Sequence, residues 1–379
     1  MSSETYESLS KFAGTRVKND NRLEQTCEVI DELPCNDLLS LLTIASEKRS
    51  ATVSTHDIMN GNRFHEPSLV SQRDFHWLEG VIMDSLDDNV DFVELSPLQP
   101  FGINKVLANT NQKNIVSTLR RSEANSDATT ALFRVALQRF GSLLYGGDFV
   151  RIASNIRTVR AQTFDKNTKF LPHFKVFGEA SVGKQNSQFG SRELDLLLEH
   201  LGTEVDIIDK LASSERSNIS NIQIRLGNLA LLEDLANRGR VNIDEARRNT
   251  ISPDYNLINE QKIDIPEYIS LATPAIGTAL KAMGFKRGVK ITEIVKQKIE
   301  EKRPDLIPRI QLHLGRIAGI GYYKHICYKI AASNNQDINI PIADGGTTGW
   351  ATKVSQDKQL FSVVSGIGTE LVCQYLITK

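Results

Sequence analysis

The sequence predicts an α+β fold: an antiparallel sheet flanked by helices, with a mostly helical insertion over 190–318 and a helical N-terminal extension and linker over 1–70. Three observations lead there. Two alternating runs, "DFVRIASNIRTVRAQ" and "FLPHFKVFGEAS", flank the polar stretch "TFDKNTK", the pattern of a long-armed antiparallel hairpin. Helical spacing dominates from about 190 to 318. Strand and helix do not alternate regularly enough for a parallel α/β sheet.

The elements follow in order. Residues 1–20 are polar and read as loose, and "NRLEQTCEVIDELPCNDLLSLLTIASEKR" reads as one or two short helices broken near Pro34. The polar stretch 51–70, with Gly61 and Pro67, reads as a linker. From Ser71, Phe75, Leu78, Ile82 and Leu86 recur at spacings that make one apolar helical face. Val93 and Leu95 then alternate with polar residues in a strand ending at Pro97, and "KNIVSTL" reads as another strand. "DATTALFRVALQRFG" is a helix beginning after Ser126 or Asp127, both good caps. After the hairpin, "SRELDLLLEHL" and "ITEIVKQKIEE" are helices, and "NIQIRLG" is a strand leading to a helix that closes at Gly239. "GYYKHICYKIAA" reads as a strand carrying Tyr322 and Tyr323, "LFSVVSG" as the last strand and "TELVCQYL" as the last helix.

Bulk properties exclude several functions. Lys+Arg is 45 against Asp+Glu 46, a net charge of -1, which argues against nucleic-acid binding by a broad basic surface. The 40% hydrophobic and 24% charged content is ordinary for a soluble globular protein. No apolar run approaches the ~18 residues of a membrane span, and the N-terminus has no apolar signal core. Cys27, Cys35, Cys327 and Cys373 form no Cys-x-x-Cys and have no histidines at zinc spacing, so no metal site is expected. Reduced thiols and a cytoplasmic setting fit this usage.

The glycine-rich end "DGGTTGWATKVSQDKQLFSVVSGIGTELV" raises the question of a ligand. "SGIGTE" follows a strand and opens a helix, but Gly366 and Gly368 lack a third glycine, and 11 residues after Gly368 are too few for a ~30-residue dinucleotide-binding unit. No phosphate-binding P-loop sequence is present. Either the glycines let a ligand approach the backbone, or they let strand and helix pack closely.

Taken together, these segments resemble the class II aminoacyl-tRNA synthetases, and within them the histidyl-tRNA synthetase core, over roughly 71–379. The helix from Ser71 and the strand to Pro97 look like motif 1. "RIASNIRTVRAQ" and "PHFKVFG" resemble the two strands of motif 2, which puts Arg160 at the phosphate-binding arginine and Phe174 near the adenine-stacking position. "NSDATTALFR" is similar to the Arg-Pro-Glu-Gly-Thr segment, which puts Asp127 and Thr129 at its carboxylate and threonine. "GIGYYKHICYKI" resembles the histidine-pocket segment, and "DGGTTGW…SGIGTELV" the Gly-Gly strand and motif 3. The resemblance implies a homodimer, an amino acid or small carboxylate as ligand, and ATP with Mg.

The departures are specific. Ala318 stands where the family keeps an arginine ahead of the tyrosines, though Arg316 is nearby; Gly321 replaces an aspartate and Leu371 the motif 3 arginine. One lost charge-assisted donor of this kind typically costs about 2.7–4 kcal/mol in transition-state stabilisation. An anticodon-binding domain normally follows motif 3, and the chain stops at Lys379. Charging of tRNA is therefore not expected. The regulatory subunit of ATP phosphoribosyltransferase, a paralogue of the synthetase core, offers the alternative of a ligand-binding protein acting through a partner enzyme. Adenylation of a small acid for a non-tRNA acceptor is the competing expectation, and an RNA-binding or scaffolding remnant a weaker third.

The candidate binding residues are Arg160, Gln162, Asp127, Thr129, Glu123, His173, Phe174, Tyr322, Tyr323, Asp344, Gly345, Gly346, Gly366, Gly368 and Glu370. Each has a plainer role beside it. Arg160 and Gln162 share a strand face, where the arginine either forks onto an anion or pairs with a structural acid. Asp127 caps its helix or meets the ligand, and Glu123 lies just ahead of it. Tyr322 and Tyr323 are expected on opposite faces, one lining a pocket. Asp344 meets an ammonium group or turns the chain; His173 donates at the hairpin mouth or lies on the surface; Glu370 holds a metal-bound nucleotide or caps the last helix.

Overall fold

Nine strands hydrogen-bond into one sheet in the computed structural model, which describes residues 28, 30–142, 147–162, 170–185, 191–248 and 256–378. The stretch 1–20, Cys27 and the 163–169 loop lie outside the described residues. The strands are β1 (Asp91–Phe92), β2 (Phe149–Val159), β3 (His173–Lys184), β4 (Ile219–Asn228), β5 (Tyr268–Ser270), β6 (Ile310–His313), β7 (Ile326–Asn334), β8 (Asn339–Thr348) and β9 (Leu360–Ile367). Their spatial order is β1-β2-β3-β9-β8-β7-β4-β6-β5. Every neighbouring pair is antiparallel except β1–β2 and β4–β6.

Five helices position the parts that matter: α1 (Gln72–Met83), α2 (Ala128–Phe140), α3 (Ser191–Ala212), α4 (Arg287–Lys302) and α5 (Thr369–Tyr375). The sheet has two apolar faces because its strands alternate. Val150, Ile152 and Ile156 of β2 and Ala180 and Val182 of β3 pack with Leu132, Phe133 and Ala136 of α2. Ala153, Phe177 and Val363 turn the other way and pack with Leu197, Leu201 and Ile208 of α3. Both faces are covered, so β2 and β3 are buried along most of their length, polar residues such as Arg151, Ser154 and Glu179 included. Gly178 sets how closely α2 approaches: a Cβ there would lie 2.9 Å from both Ala128 Cβ and Leu132 Cδ1. The first turn of α2 is thereby pressed onto the sheet, carrying Asp127 and Thr129 with it.

α1 begins at its Ser71 cap and buries Phe75, Leu78 and Ile82, the face its spacing predicts. Several other expectations differ. The strand toward Pro97 is only Asp91–Phe92, and the chain then leaves the sheet to form a ribbon of Leu98–Pro100 with Ser122–Ala124. "KNIVSTL" forms no full strand: its first two residues end a 3-10 turn, Gln112–Asn114, and it makes only an isolated bridge, Ser117 to Glu123. Tyr322 and Tyr323 precede β7 instead of riding on it, because Gly319 and Gly321 at positive φ turn the chain there. The 190–318 stretch supplies α3 and strands β4, β5 and β6 to the central architecture, with helices grouped mainly between Leu229 and Lys302.

The chain divides into two compact units, Met1–Gly61 with Thr118–Arg121, and Asn62–Ser117 with Ser122–Lys379. In the first, one helix runs Cys35–Ser50 directly after Pro34 and buries no residue, and Ser54 and Asp57 form a reciprocal cap on a second, Thr55–Met59. No described helix is long and apolar enough to cross a membrane.

Candidate ligand-binding cleft

A cleft of about 810 Å³ opens on the α2 side of the sheet. Val176, Lys329, Asp344 and Gly366 form its floor, the loop Gly319–Tyr323 one wall, and Asp127, Thr129 and Arg160 the other. Strand alternation explains the floor: these residues come from four strands and share a face with the apolar residues that meet α2.

Asp127 does two jobs. Its Oδ1 accepts from the Thr129 N–H at 2.9 Å and hydroxyl at 2.7 Å, capping α2. Its Oδ2 accepts from the Tyr322 phenol at 3.0 Å, and Thr129 Oγ1 lies 2.6 Å from the same phenol oxygen. Burial, and then the Asp127 charge, hold the Tyr322 phenol well above its usual pKa, so it stays protonated and donates. Edge-on contacts to Tyr323 at 4.9 Å and Trp350 at 5.0 Å fix its ring.

Asp344 is open to the cleft yet set among protein atoms on its floor. Its removal from bulk water pushes the carboxyl up; Arg316 opposes this, Asp127 adds to it, and Lys329 and Arg160 also oppose it. Among the described residues its side chain has no hydrogen bond or ion pair. Arg316 is buried beneath this region, with Nε on the Ala318 carbonyl at 3.3 Å and Nη1 unpartnered among the described residues.

Arg160 stands at the hairpin end of the cleft. Its Nε donates to the Ser126 carbonyl at 2.9 Å, and its guanidinium carbon lies 5.1 Å from the centre of the Phe174 ring. Arg160 also borders two side cavities with Gln162: one of about 260 Å³ with Phe174, Gly368 and Leu371, and one of about 180 Å³ with Ser126 and Asp127. Gly366 and Gly368 line the main cleft, as does Leu371.

Three further candidates do not line the main cleft, although His173 and Glu370 border the side cavity of about 260 Å³ with Arg160 and Gln162. Glu123 is fully buried away from the cleft, accepting from the Gly102 and Asn104 backbone N–H groups and the Asn104 and Gln112 amides, bonds that hold its pKa down against burial. His173 is on the opposite sheet face from Phe174, by alternation. Its Nδ1 accepts from Arg157 at 2.9 Å and its Nε2 donates to the Glu66 carbonyl at 2.7 Å. Glu370 is held by Arg157 at 3.1 Å, Ser68 at 2.5 Å and the Lys175 N–H at 2.8 Å. Arg157 is therefore committed, and cannot share the work of Arg160. Gly345 and Gly346 make room for the protein's own tyrosines: a Cβ at Gly345 would lie 2.6 Å from Tyr328, and one at Gly346 2.4 Å from Tyr323. Both tyrosines line one cleft wall, where opposite faces were expected.

Sequence reasoning passed over Lys329, Trp350 and the depth of Arg316. Alternation along β7 gives a signal for Lys329, two residues beyond the buried Cys327. Nothing local marks Trp350 as the support of Tyr322. Among the described residues no group of His, Cys, Asp and Glu could hold a metal ion.

Two solved structures cover the same architecture, each matching 83% of this chain with a TM-score of 0.59. The chain has the class II aminoacyl-tRNA synthetase fold. One is an ATP phosphoribosyltransferase regulatory subunit/histidyl-tRNA synthetase from Bacillus halodurans C, at 13% identity and 83% of its length; the other is histidyl-tRNA synthetase from Nostoc sp. PCC 7120, at 15% identity and 74% of its length. Apo histidyl-tRNA synthetase from S. aureus is also similar, at a TM-score of 0.52 and 9% identity over 83% of this chain and 73% of that one. No family model and no curated protein matches the sequence. The segments whose sequence resembles motif 2 form β2 and β3, and those resembling motif 3 form β9 and α5.

Proposed function

We propose that the main cleft binds a free amino acid, or a related small carboxylate, in a regulatory role and does not adenylate it. The observation that carries this reading is the unpartnered Asp344 carboxylate facing the same cleft as Asp127 and Arg160. Two acids offer an ammonium group its counter-charge, and the planar guanidinium offers a carboxylate a two-point partner. The Tyr322 bond holds Asp127 in place before any ligand arrives, which lowers the ordering cost of binding. One structural neighbour, an ATP phosphoribosyltransferase regulatory subunit/histidyl-tRNA synthetase, supports such a role.

The residues present do not fit a magnesium-bound nucleotide. Arg160 lies over Phe174, the ring that the fold would offer to a base. Glu370 already carries a guanidinium, a hydroxyl and a backbone N–H. Leu371 presents an aliphatic side chain where a cation would meet phosphate. A homodimer and a partner enzyme belong to the same proposal on the likeness of fold.

Pyrophosphate exchange with ATP against a panel of amino acids tests this reading. The expected result is no exchange with any of them. Exchange that Arg160→Ala abolishes would overturn it in favour of an adenylating enzyme.

A further inference from the structure

The opposite face of the sheet carries a second cavity, of about 370 Å³, between the first turn of α3, the helix α4 and the start of β7. It shares no lining residue with the main cleft. Its wall is aliphatic, built from Leu194, Ile291, Val295 and Ile326, with Ile294 at the rim 41% exposed. Lys286, Arg287 and Lys290, all exposed, also line it. Arg287 pairs with Glu233 at 2.8 Å.

Glu193 lines this apolar space while only 8% exposed. Among the described residues its carboxyl has no hydrogen bond and no ion pair. A carboxyl walled by aliphatic groups without a partner is unfavourable, and a leucine would fill the position at no such cost. Burial pushes this acid up to about 7, with Lys324 alone pulling against it. His325 also lines the cavity and is held down to about 4, so it is neutral when Glu193 titrates. The remaining charged groups on the cavity are the two lysines and the arginine from the Lys286–Lys290 segment.

We infer that this cavity is a second binding site, for a small amphiphile with an apolar, flat body, an N–H donor that reaches Glu193 and an anionic end that meets Lys286 and Lys290. The body covers the isoleucines, the donor satisfies the carboxylate, and the anion complements the rim. Purine nucleotides and indole carboxylates share this chemistry.

Calorimetric titration of the full chain at about pH 8, where Glu193 is ionised, separates the two sources. Guanosine 5′-monophosphate and indole-3-acetate are titrated separately. At least one is expected to bind with a Kd below about 1 mM. Glu193→Gln should weaken it about tenfold or more, and Lys290→Glu several-fold. Ile294→Trp, a change at the exposed rim, should block entry, and decides the matter should Glu193→Gln fail to fold. Asp344→Asn, in the other cleft, should leave binding unchanged, so failure here and failure of the proposed amino-acid site are distinguishable. No binding by either probe would overturn the inference. So would binding that survives both Glu193→Gln and Ile294→Trp, or that Asp344→Asn removes.

Discussion

Tyr322 gives its phenolic proton to Asp127 at 3.0 Å, and this bond ties the loop ahead of β7 to the first turn of α2. The two residues are 195 positions apart in the chain, so the bond closes the cleft wall across most of the fold. Tyr322→Phe keeps the ring packing on Tyr323 and Trp350 and removes only this donor. A hydrogen bond to a charged acceptor is worth about 1.5–3 kcal/mol, and urea unfolding should show a loss in that range. Any ligand held by Asp127 should also bind more weakly, since the carboxylate is then oriented by Thr129 alone.

Asp344 separates stability from binding. Among the described residues the acid has no hydrogen bond or ion pair, and burial pushes its carboxyl up. Asp344→Asn is therefore expected to fold as well as the parent or better, while amino-acid affinity falls about tenfold or more. The pH dependence has a definite sign. An ammonium group pairs only with the ionised acid, so affinity should fall on acidification, starting at a higher pH than for an ordinary aspartate of 3.8. The asparagine variant should lack that dependence. Titration across the acid range measures both.

Glu193 should make the folded chain less stable as the pH rises. Its folded value of about 7 exceeds its ordinary 4.5, so between these values the folded chain binds more protons than the unfolded chain. Stability from this group is present below the ordinary value and is lost as the pH rises through about 7. The limit is roughly 3 kcal/mol. Comparing parent and Glu193→Gln by denaturant unfolding at acid and alkaline pH should show the variant gaining on the parent as the pH rises.

Arg151 and Glu179 form a fully buried ion pair at 2.7 Å, bridging β2 and β3 on the α3 side. Asn89, Asp87 and Glu199 take further bonds from the same guanidinium. Arg151→Met leaves the buried Glu179 with no cation, only the neutral His200 imidazole at 3.1 Å, and should cost about 3–5 kcal/mol. Replacing both members with Met and Leu should recover much of that loss, because well-packed apolar groups often replace a buried pair without penalty. Thermal and urea unfolding of the single and double variants check this.

Gly345 is required for packing. A methyl group there would sit 2.6 Å from Ser365 Cβ and from the Tyr328 ring carbon and hydroxyl. Gly345→Ala should destabilise by about 1–3 kcal/mol, as overpacking does, and leave ligand affinity in the folded fraction intact. A ligand-contact role predicts the reverse.

Periodicity made the long elements legible. The β2–β3 hairpin, the apolar face of α1 and the start of α2 after Ser126 or Asp127 follow from apolar spacing and capping chemistry alone; the structure adds the Ser71 cap and selects Asp127. Asp127, Thr129, Tyr322, Asp344 and Arg160 are marked by the resemblance of their segments to the synthetase core, and they meet in one cleft. Glu123, His173 and Glu370 do not join them, for different reasons. His173 and Glu370 border the side cavity beside Phe174 instead, the histidine turned to the far face of β3 by strand parity and the glutamate held in α5 by Arg157. Glu123 is absorbed by four donors brought together through the ribbon Leu98–Pro100 with Ser122–Ala124, whose pairing no local pattern announces. The roles of Gly345 and Gly346 depend on Tyr328 and Tyr323, neighbours in space that the glycine motif itself does not name. Glu193 is a first-turn acid of α3, unmarked by its sequence, and only its burial in the cavity against α4 sets it apart.

Calorimetric titration of the purified chain with a panel of free amino acids, in parent, Asp344→Asn and Arg160→Ala forms, tests the central claim most directly. The account predicts saturable binding of at least one amino acid without ATP, weakened about tenfold or more by each substitution. Absence of binding by every amino acid, or binding that both variants retain at full strength, would contradict it.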